Sequence, residues 1–461
     1  MVALLAVNLG LKVAWCGLHE LGGDEPFTVY WALRPLSALF GMLRTENNPP
    51  LYFLIMHGWL KLVPLDPAWI RLPSAVFSTL TVWPLFLLAR RLGGGLAAVT
   101  AGLLFTFSQH HYAFAHEARA YSLLVLACTW AAWQLLRLSR PGTGTPVQGT
   151  ASMAALVAAN VLATWAHYFG WLMLGLEIGL CFAVAELRPV RAKVLAAALL
   201  TVLCNLPLLA ILGSRAADSL GHGTWLSPPT WEEPYNMVLR WSNAPVVAVL
   251  FMGLVAWGLW RRKPGGQLAL PLWWTLLPLV GMFLLSFLFP VYLDRYLLFA
   301  SPGFYLLVAL SAAGASGQQR VRMGLCTGCV VAMAATFTPW KDGGAHPSRV
   351  VAQVAAWQRP GTAVLLQPPW YDLSYAWALD KQLYTGASPV DLALKERKVH
   401  PVQAADMPAL DSSITTVVHV DAWAALTDPE GRVLRELRRR YLQVDSAEAD
   451  RKVHLRLFRV R

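Results

Sequence analysis

The sequence predicts an all-α polytopic membrane protein of about eleven spans followed by a small C-terminal α/β domain, and three observations predict it. Of its 461 residues, 56% are apolar and only 14% charged. Near-chargeless runs of spanning length recur as far as Trp340 and then stop. A hydrocarbon core about 30 Å thick asks for roughly 20 apolar residues per helix, a pattern that a soluble domain has no reason to repeat. The third observation is charge placement. A net charge of +12 raises a nucleic-acid reading, but 12 of the 38 Lys and Arg lie in short clusters at the ends of apolar runs: Arg90/Arg91, Arg137/Arg140, Arg188/Arg191/Lys193, Arg261/Arg262/Lys263 and Arg320/Arg322. Such clusters mark cytoplasmic loops.

The apolar runs are 1–17, 69–89, 95–109, 117–138, 152–167, 170–186, 193–213, 243–260, 269–288, 296–314 and 323–340. With the N-terminus cytoplasmic, these eleven spans put all five basic clusters inside. Residues 18–68 form the first outer loop. Within it, FTVYWALRPLSALFGMLR is aromatic and carries Arg34 and Arg44, which suits a helix lying in the membrane surface. PPLYFLIMHGWLKLVP is apolar enough to span, yet counting it would flip every later loop, so it reads as re-entrant or interfacial. Residues 214–242 are rich in Gly, Pro and Trp and suit a lid on the outer face.

All six cysteines fall inside apolar segments, which removes a disulfide framework; the C-x-x-C of Cys326 and Cys329 sits in a span without a redox fold around it. From 341 onward the composition changes, with 17 of the 38 basic and 14 of the 26 acidic residues and no span. TAVLLQ, ITTVVHV and VHLRLFRV read as strands, and SRVVAQVAAWQ and EGRVLRELRRRYLQV as helices, the second with Val433, Leu434, Leu437 and Tyr441 on one face. The two domains are thus 1–340 and 341–461, the second outside the membrane.

The polar residues of the first part collect on the outer face, where Asp24, Glu25, Glu46 and Glu117 lie near His116 and His167 in outward loops. Polar clusters at membrane depth mark function more often than not. Three spans begin there with an arginine: Arg71 in AWIRLPSA, Arg119 in HEARAYSLL and Arg295 in YLDRYLLF. A cation at a helix N-terminus is unfavourable, since that end already carries partial positive charge. Local pairing with Asp66, Glu117 and Asp294 is one answer. Three such ends on one face fit a bound phosphate at headgroup depth, hence a lipid phosphate. Asp24-Glu25, where the first span emerges, is either a helix N-cap or a carboxylate placed to take a proton from an attacking hydroxyl.

LGGDEPFTVYWAL, ENNPPLYFLIMHGWLKL, AWIRLPSAVFSTLTVWPLFLLARRLGG, HEARAYSLLVL, TWAHYFGWL and DRYLLFASPGFYLL occur in that order over about residues 20 to 310. The series resembles the GT-C glycosyltransferases, in particular the bacterial protein O-mannosyltransferase and aminoarabinose transferase-like family. The resemblance implies a membrane enzyme that takes a sugar from a polyprenyl-phosphate carrier on the extracytoplasmic face of the bacterial inner membrane and gives it to a glycan, lipid or protein acceptor. Residue by residue, it implies Asp24 as catalytic acid with Glu25 its companion. Arg71, Arg119, Arg295, Tyr52 and Tyr296 then serve the carrier phosphate, and Asn48, Glu117 and Tyr121 line the site. Asn47, His116 and His167, on the same outer face, are read as lining it too. Where aminoarabinose transferases have lysine before the prolines, this chain has Asn47-Asn48, so the family name does not assign the sugar. No cofactor is demanded; a divalent metal on Glu46, His116 and His167 is an option that ligand type alone leaves open. The rival reading is a polyprenyl-lipid flippase or transporter. It expects internal repeats and charges deep in the bilayer, where only Lys12 and Glu177 lie.

Overall fold

The computed structural model describes residues 1–46, 48–139, 146–211, 213, 226–261, 266–340, 344–403, 411, 413–450 and 453–460. In chain order the helices of its first part are α1 (Val2–Ala14), α2 (Glu25–Leu33), α3 (Leu36–Leu43), α4 (Leu51–Trp59), α5 (Pro67–Thr106), α6 (Gln109–Ala115), α7 (Tyr121–Ser139) and α8 (Pro146–Ala166). They continue with α9 (Gly170–Ala183), α10 (Arg191–Cys204), α11 (Glu233–Trp241), α12 (Pro245–Arg261), α13 (Ala269–Leu285), α14 (Ser301–Ala313) and α15 (Gln319–Ala335). A 3-10 helix, Asp294–Ala300, runs straight into α14.

Two compact units result. One comprises Met1–Cys16, Phe40–Ile55 and Arg71–Lys341; the other comprises Gly17–Leu39, Met56–Ile70 and Asp342–Arg461. The helical unit is centred on α14, every residue of which is buried, as expected of a helix that is apolar all round. Helices α12 and α13 pack on it, and α7 and α8 pair alongside.

The expected spans 69–89 and 95–109 are the two halves of α5, which breaks at Gly94. Its φ of 82° and ψ of −172° lie in a region open essentially to glycine alone, which is how 40 residues turn sharply without a loop. Each of the eleven expected runs holds a described helix, or half of one in α5. By length and composition not all of the described helices qualify as spans. Four are long and apolar enough to cross a membrane, or six if the bent pairs Gly170–Ala183 with Ala185–Cys204 (110°) and Glu233–Trp241 with Pro245–Arg261 (96°) each count once. Helices α1 and α13 are apolar but shorter. Apolar runs mark hydrophobic burial, and breaks at helix ends divide that burial differently from a count of runs. Helix α4 has nine residues, roughly 14 Å, too short to span. FTVYWALRPLSALFGMLR is two helices separated at Arg34-Pro35. Of the lid-like segment 214–242, residues 214–225 lie outside the described residues; the rest leads into α11.

Polar residues inside the apolar helices bond to neighbouring helices, as membrane interiors require. Lys12 donates Nζ to Ser78 Oγ at 2.5 Å and lies 4.6 Å over the Phe105 ring. Asn8 donates to Thr106 Oγ1 at 2.9 Å, and Asn160 donates to Glu177 Oε2 at 2.7 Å.

The second unit holds α16 (Pro347–Trp357), β1 (Thr362–Gln367), α17 (Tyr371–Leu379), α18 (Val390–Glu396), β2 (Val399–Pro401), β3 (Thr416–Asp421), α19 (Arg432–Arg440), β4 (Tyr441–Asp450) and β5 (Val453–Val460). The sheet order is β2-β1-β3-β5-β4, with β2, β1 and β3 parallel and β5 and β4 antiparallel. Val364 stands beside Val418, and Val418 beside Leu457. The three expected strands are present. The expected helix EGRVLRELRRRYLQV is corrected: it ends at Arg440, and Tyr441 opens β4. An edge strand exposed over most of its length has no alternating apolar signal, so pairing with β5 overrides the helical pattern before it.

Candidate functional site

Each predicted arginine of the helical unit stands at the start of an apolar helix. Arg71 is the fifth residue of α5, Arg119 precedes α7 by two residues, and Arg295 is second in the 3-10 turn before α14. Arg71 is buried and donates Nη1 to the Cys16 carbonyl at 3.1 Å, which ties the start of α5 to the end of the first helix. One turn further on, Ser74 Oγ lies 2.7 Å from the Tyr52 hydroxyl and donates to the Arg119 carbonyl at 3.3 Å. Arg119 in turn donates Nη2 to Asn48 Oδ1 at 3.2 Å. A connected set of Asn48, Tyr52, Ser74 and Arg119 therefore joins the NPPLY segment, α5 and the EAR loop.

A second set meets the same arginine. His167 lies just past the end of α8, with its ring centroid 5.6 Å from Tyr121, 5.3 Å from Phe169 and 5.4 Å from Tyr296. Phe169 and Tyr296 stack at 4.5 Å, and the Arg295 guanidinium lies 5.7 Å over the Tyr296 ring. Burial, then the positive charges of Arg119 and Arg295, push His167 down to about 3, so it is a neutral imidazole at physiological pH. Two guanidiniums and a neutral hydrogen-bonding ring, walled by tyrosines, suit an anion far better than a cation.

Other predicted residues behave differently. His116 directs Nε2 to the Lys12 carbonyl and lies against Tyr112, which ties it to the first helix. Glu46 is exposed. Among the described residues no group of three or more His, Cys, Asp or Glu side chains is arranged to hold a metal ion. Asn47 lies outside the described residues. Glu117 is half-buried and its carbonyl accepts from the Arg119 amide at 2.7 Å, closing the turn before α7. Sequence reasoning missed Ser74 and Phe169, whose roles come from position rather than charge; both lay within motifs already singled out, AWIRLPSA and TWAHYFGWL.

Asp24 and Glu25 belong to the other unit. Asp24 occupies the N-cap position of α2, but its side chain makes no capping bond, against the helix-cap reading. Glu25 is buried, and its Oε2 accepts from the Gly22 amide at 3.4 Å. The Glu25 bond closes the turn that leads into α2.

No protein-family model matches the chain, and no curated protein does. Solved structures do. The chain is similar to ArnT from Cupriavidus metallidurans bound to undecaprenyl phosphate, with a TM-score of 0.62, 14% identity and coverage of 99% of this chain and 97% of that one. It is also similar to the Archaeoglobus fulgidus oligosaccharyltransferase in complex with Zn and sulfate, with a TM-score of 0.57, 11% identity and coverage of 95% and 70%. A third similar structure is the oligosaccharyltransferase AglB from the same organism with an inhibitory peptide and a dolichol-phosphate, at 0.56, 11%, 97% and 73%. Over nearly its whole length, the chain has the GT-C fold that these structures share.

Proposed function

We propose that this protein is a membrane glycosyltransferase that moves a sugar from a polyprenyl-phosphate carrier to a hydroxyl acceptor on the extracytoplasmic face, with inversion at the anomeric carbon. The observation that carries the reading is the meeting of Arg119, Arg295, neutral His167 and Tyr296, with Asn48, Tyr52 and Ser74 bonded to Arg119 or to each other. It is supported by a fold shared with structures holding undecaprenyl phosphate and dolichol-phosphate.

In the reaction the acceptor oxygen bonds to the anomeric carbon as the bond from that carbon to the phosphate oxygen breaks. The electron pair leaves on the phosphate, where Arg119 and Arg295 offset the growing charge, a role the motif resemblance extends to Arg71. The acceptor proton goes to Asp24 in the role the motif resemblance gives it, with Glu25 holding the turn. A phosphate is already a good leaving group, so orientation and charge stabilisation supply most of the rate gain. The transferred unit is a hexose or pentose, read as mannosyl-like. The acceptor is a glycan, a lipid or a protein. The chain lies in a bacterial inner membrane with its N-terminus cytoplasmic and residues 341–461 extracytoplasmic.

The test is transfer by purified protein in lipid nanodiscs from radiolabelled polyprenyl-phosphate sugars to a panel of hydroxyl acceptors. Labelled product that disappears in Arg119→Ala supports the reading. Movement of intact carrier across vesicles with no transfer would favour a flippase instead.

A further inference from the structure

The segment that carries Asp24 is built into the C-terminal domain. Glu20 caps α16: its Oε2 accepts from the Ser348 amide at 2.9 Å, and its Oε1 accepts from the Ser348 hydroxyl. A carboxylate at a helix N-terminus is favoured by both the unpaired N–H groups and the dipole. Two residues on, Gly22 lies so near Ala345 that a methyl on Gly22 would overlap the Ala345 methyl. From the other side, a methyl on Gly344 would come within 2.7 Å of His19 Cβ. Residues 19–22 and 344–348 therefore fit with no room for an added carbon.

The far end of α2 is held as well. Arg34 donates Nη1 to the Gly386 carbonyl at 2.8 Å and lies 4.3 Å over the Tyr30 ring. Tyr30 meets Tyr384 edge-on at 5.6 Å, and the Tyr384 hydroxyl donates to the Leu373 carbonyl at 2.6 Å. His57 Nδ1 lies 2.8 Å from the Ala32 carbonyl. A nine-residue helix has little rigidity of its own. Fastening at both ends restrains the helix, and with it the backbone of the N-cap residue Asp24.

We infer that the C-terminal domain is a positioning device for the Asp24 turn, with the Glu20–Ser348 cap and the Gly22–Ala345 contact as its working parts. This rests on the proposed function, in that Asp24 must matter for the device to matter. It assigns the domain a task in the chemistry. Glu20, Gly22, Ala345 and Ser348 are positioning residues, acting through Asp24.

Moving one methyl across the contact tests it. Gly22→Ala alone is expected to lower kcat about 10- to 100-fold, the scale on which a displacement of about 1 Å acts. KM for the donor, polyprenyl-phosphate affinity and thermal midpoint should stay near wild type. Ala345→Gly alone is expected to be mild, and Gly22→Ala with Ala345→Gly is expected to recover kcat to within about threefold, because the pair restores the same number of atoms. Glu20→Gln, which loses the charge on α16, should lower kcat in the same split. Wild-type kcat in Gly22→Ala, or a double variant no better than the single, overturns the inference. Full activity in Asp24→Asn overturns the proposed function first, and this inference with it, whereas an inactive Asp24→Asn beside an unaffected Gly22→Ala defeats the inference alone.

Discussion

Arg119 donates a hydrogen bond to the side-chain carbonyl of Asn48 at 3.2 Å, and so joins two motifs that lie 71 residues apart. Where the resemblance to aminoarabinose transferases leads one to expect a lysine before the prolines, the chain supplies an amide that bonds a guanidinium. Arg119→Ala should weaken polyprenyl-phosphate binding by about 10- to 100-fold, the scale of a lost charge-assisted bond. Asn48→Ala, which leaves the charge in place, should cost less. Titration of both variants with a fluorescent polyprenyl phosphate measures the difference.

His167 gives a pH dependence with a definite sign. Its folded value of about 3 lies below the unfolded one, so the stability it contributes is present above about pH 6.5 and is lost as pH falls toward 3. The thermal midpoint should fall between pH 7 and pH 5, and His167→Phe, which keeps a ring against Tyr296 and Phe169, should flatten that fall. Differential scanning fluorimetry at stepped pH measures both.

Asp372 in α17 gives the opposite dependence. Burial raises its carboxyl to about 7, against the amide of Leu373 and with help from Asp391. An acid with a raised folded value favours the native state at low pH and disfavours it as pH climbs from about 4 through 7. Asp372→Asn should therefore stabilise the C-terminal unit at pH 8, by on the order of 2 kcal/mol after allowance for partial exposure. Hydrogen exchange of the β1 and β3 amides in the full chain reports that gain.

At Gly94 any side chain forces the break in α5 into a conformation that costs about 1–3 kcal/mol. Gly94→Ala should lower the thermal midpoint and the yield of folded protein, while its neighbour Gly95→Ala, with open space around it, should be neutral. Size-exclusion profiles and melting curves of the pair decide this.

What the sequence disclosed follows from which forces leave a trace in it. The apolar runs were legible because burial in a bilayer requires length, and Arg71, Arg119 and Arg295 stood out because a cation at a helix start needs an explanation. Where the helices bend was not, since the break at Gly94 and the 110° bend after α9 depend on packing among helices. Strand β4 was hidden because an exposed edge has no apolar alternation. Ser74 and Phe169 carried no charge to mark them. The contact of the His116 ring with the Lys12 carbonyl is long-range, and no local pattern encodes it. The attachment of α2 to the C-terminal domain was equally silent, resting on backbone groups of Ser348 and Gly386.

The central claim is that Asp24 takes the acceptor proton in transfer from a polyprenyl-phosphate sugar. It is tested most directly by single-turnover transfer at saturating donor in wild type and Asp24→Asn. The account predicts a fall of at least about 100-fold in the transfer rate, in the range typical of a lost general base, with polyprenyl-phosphate binding retained. Transfer at the wild-type rate by Asp24→Asn would contradict it.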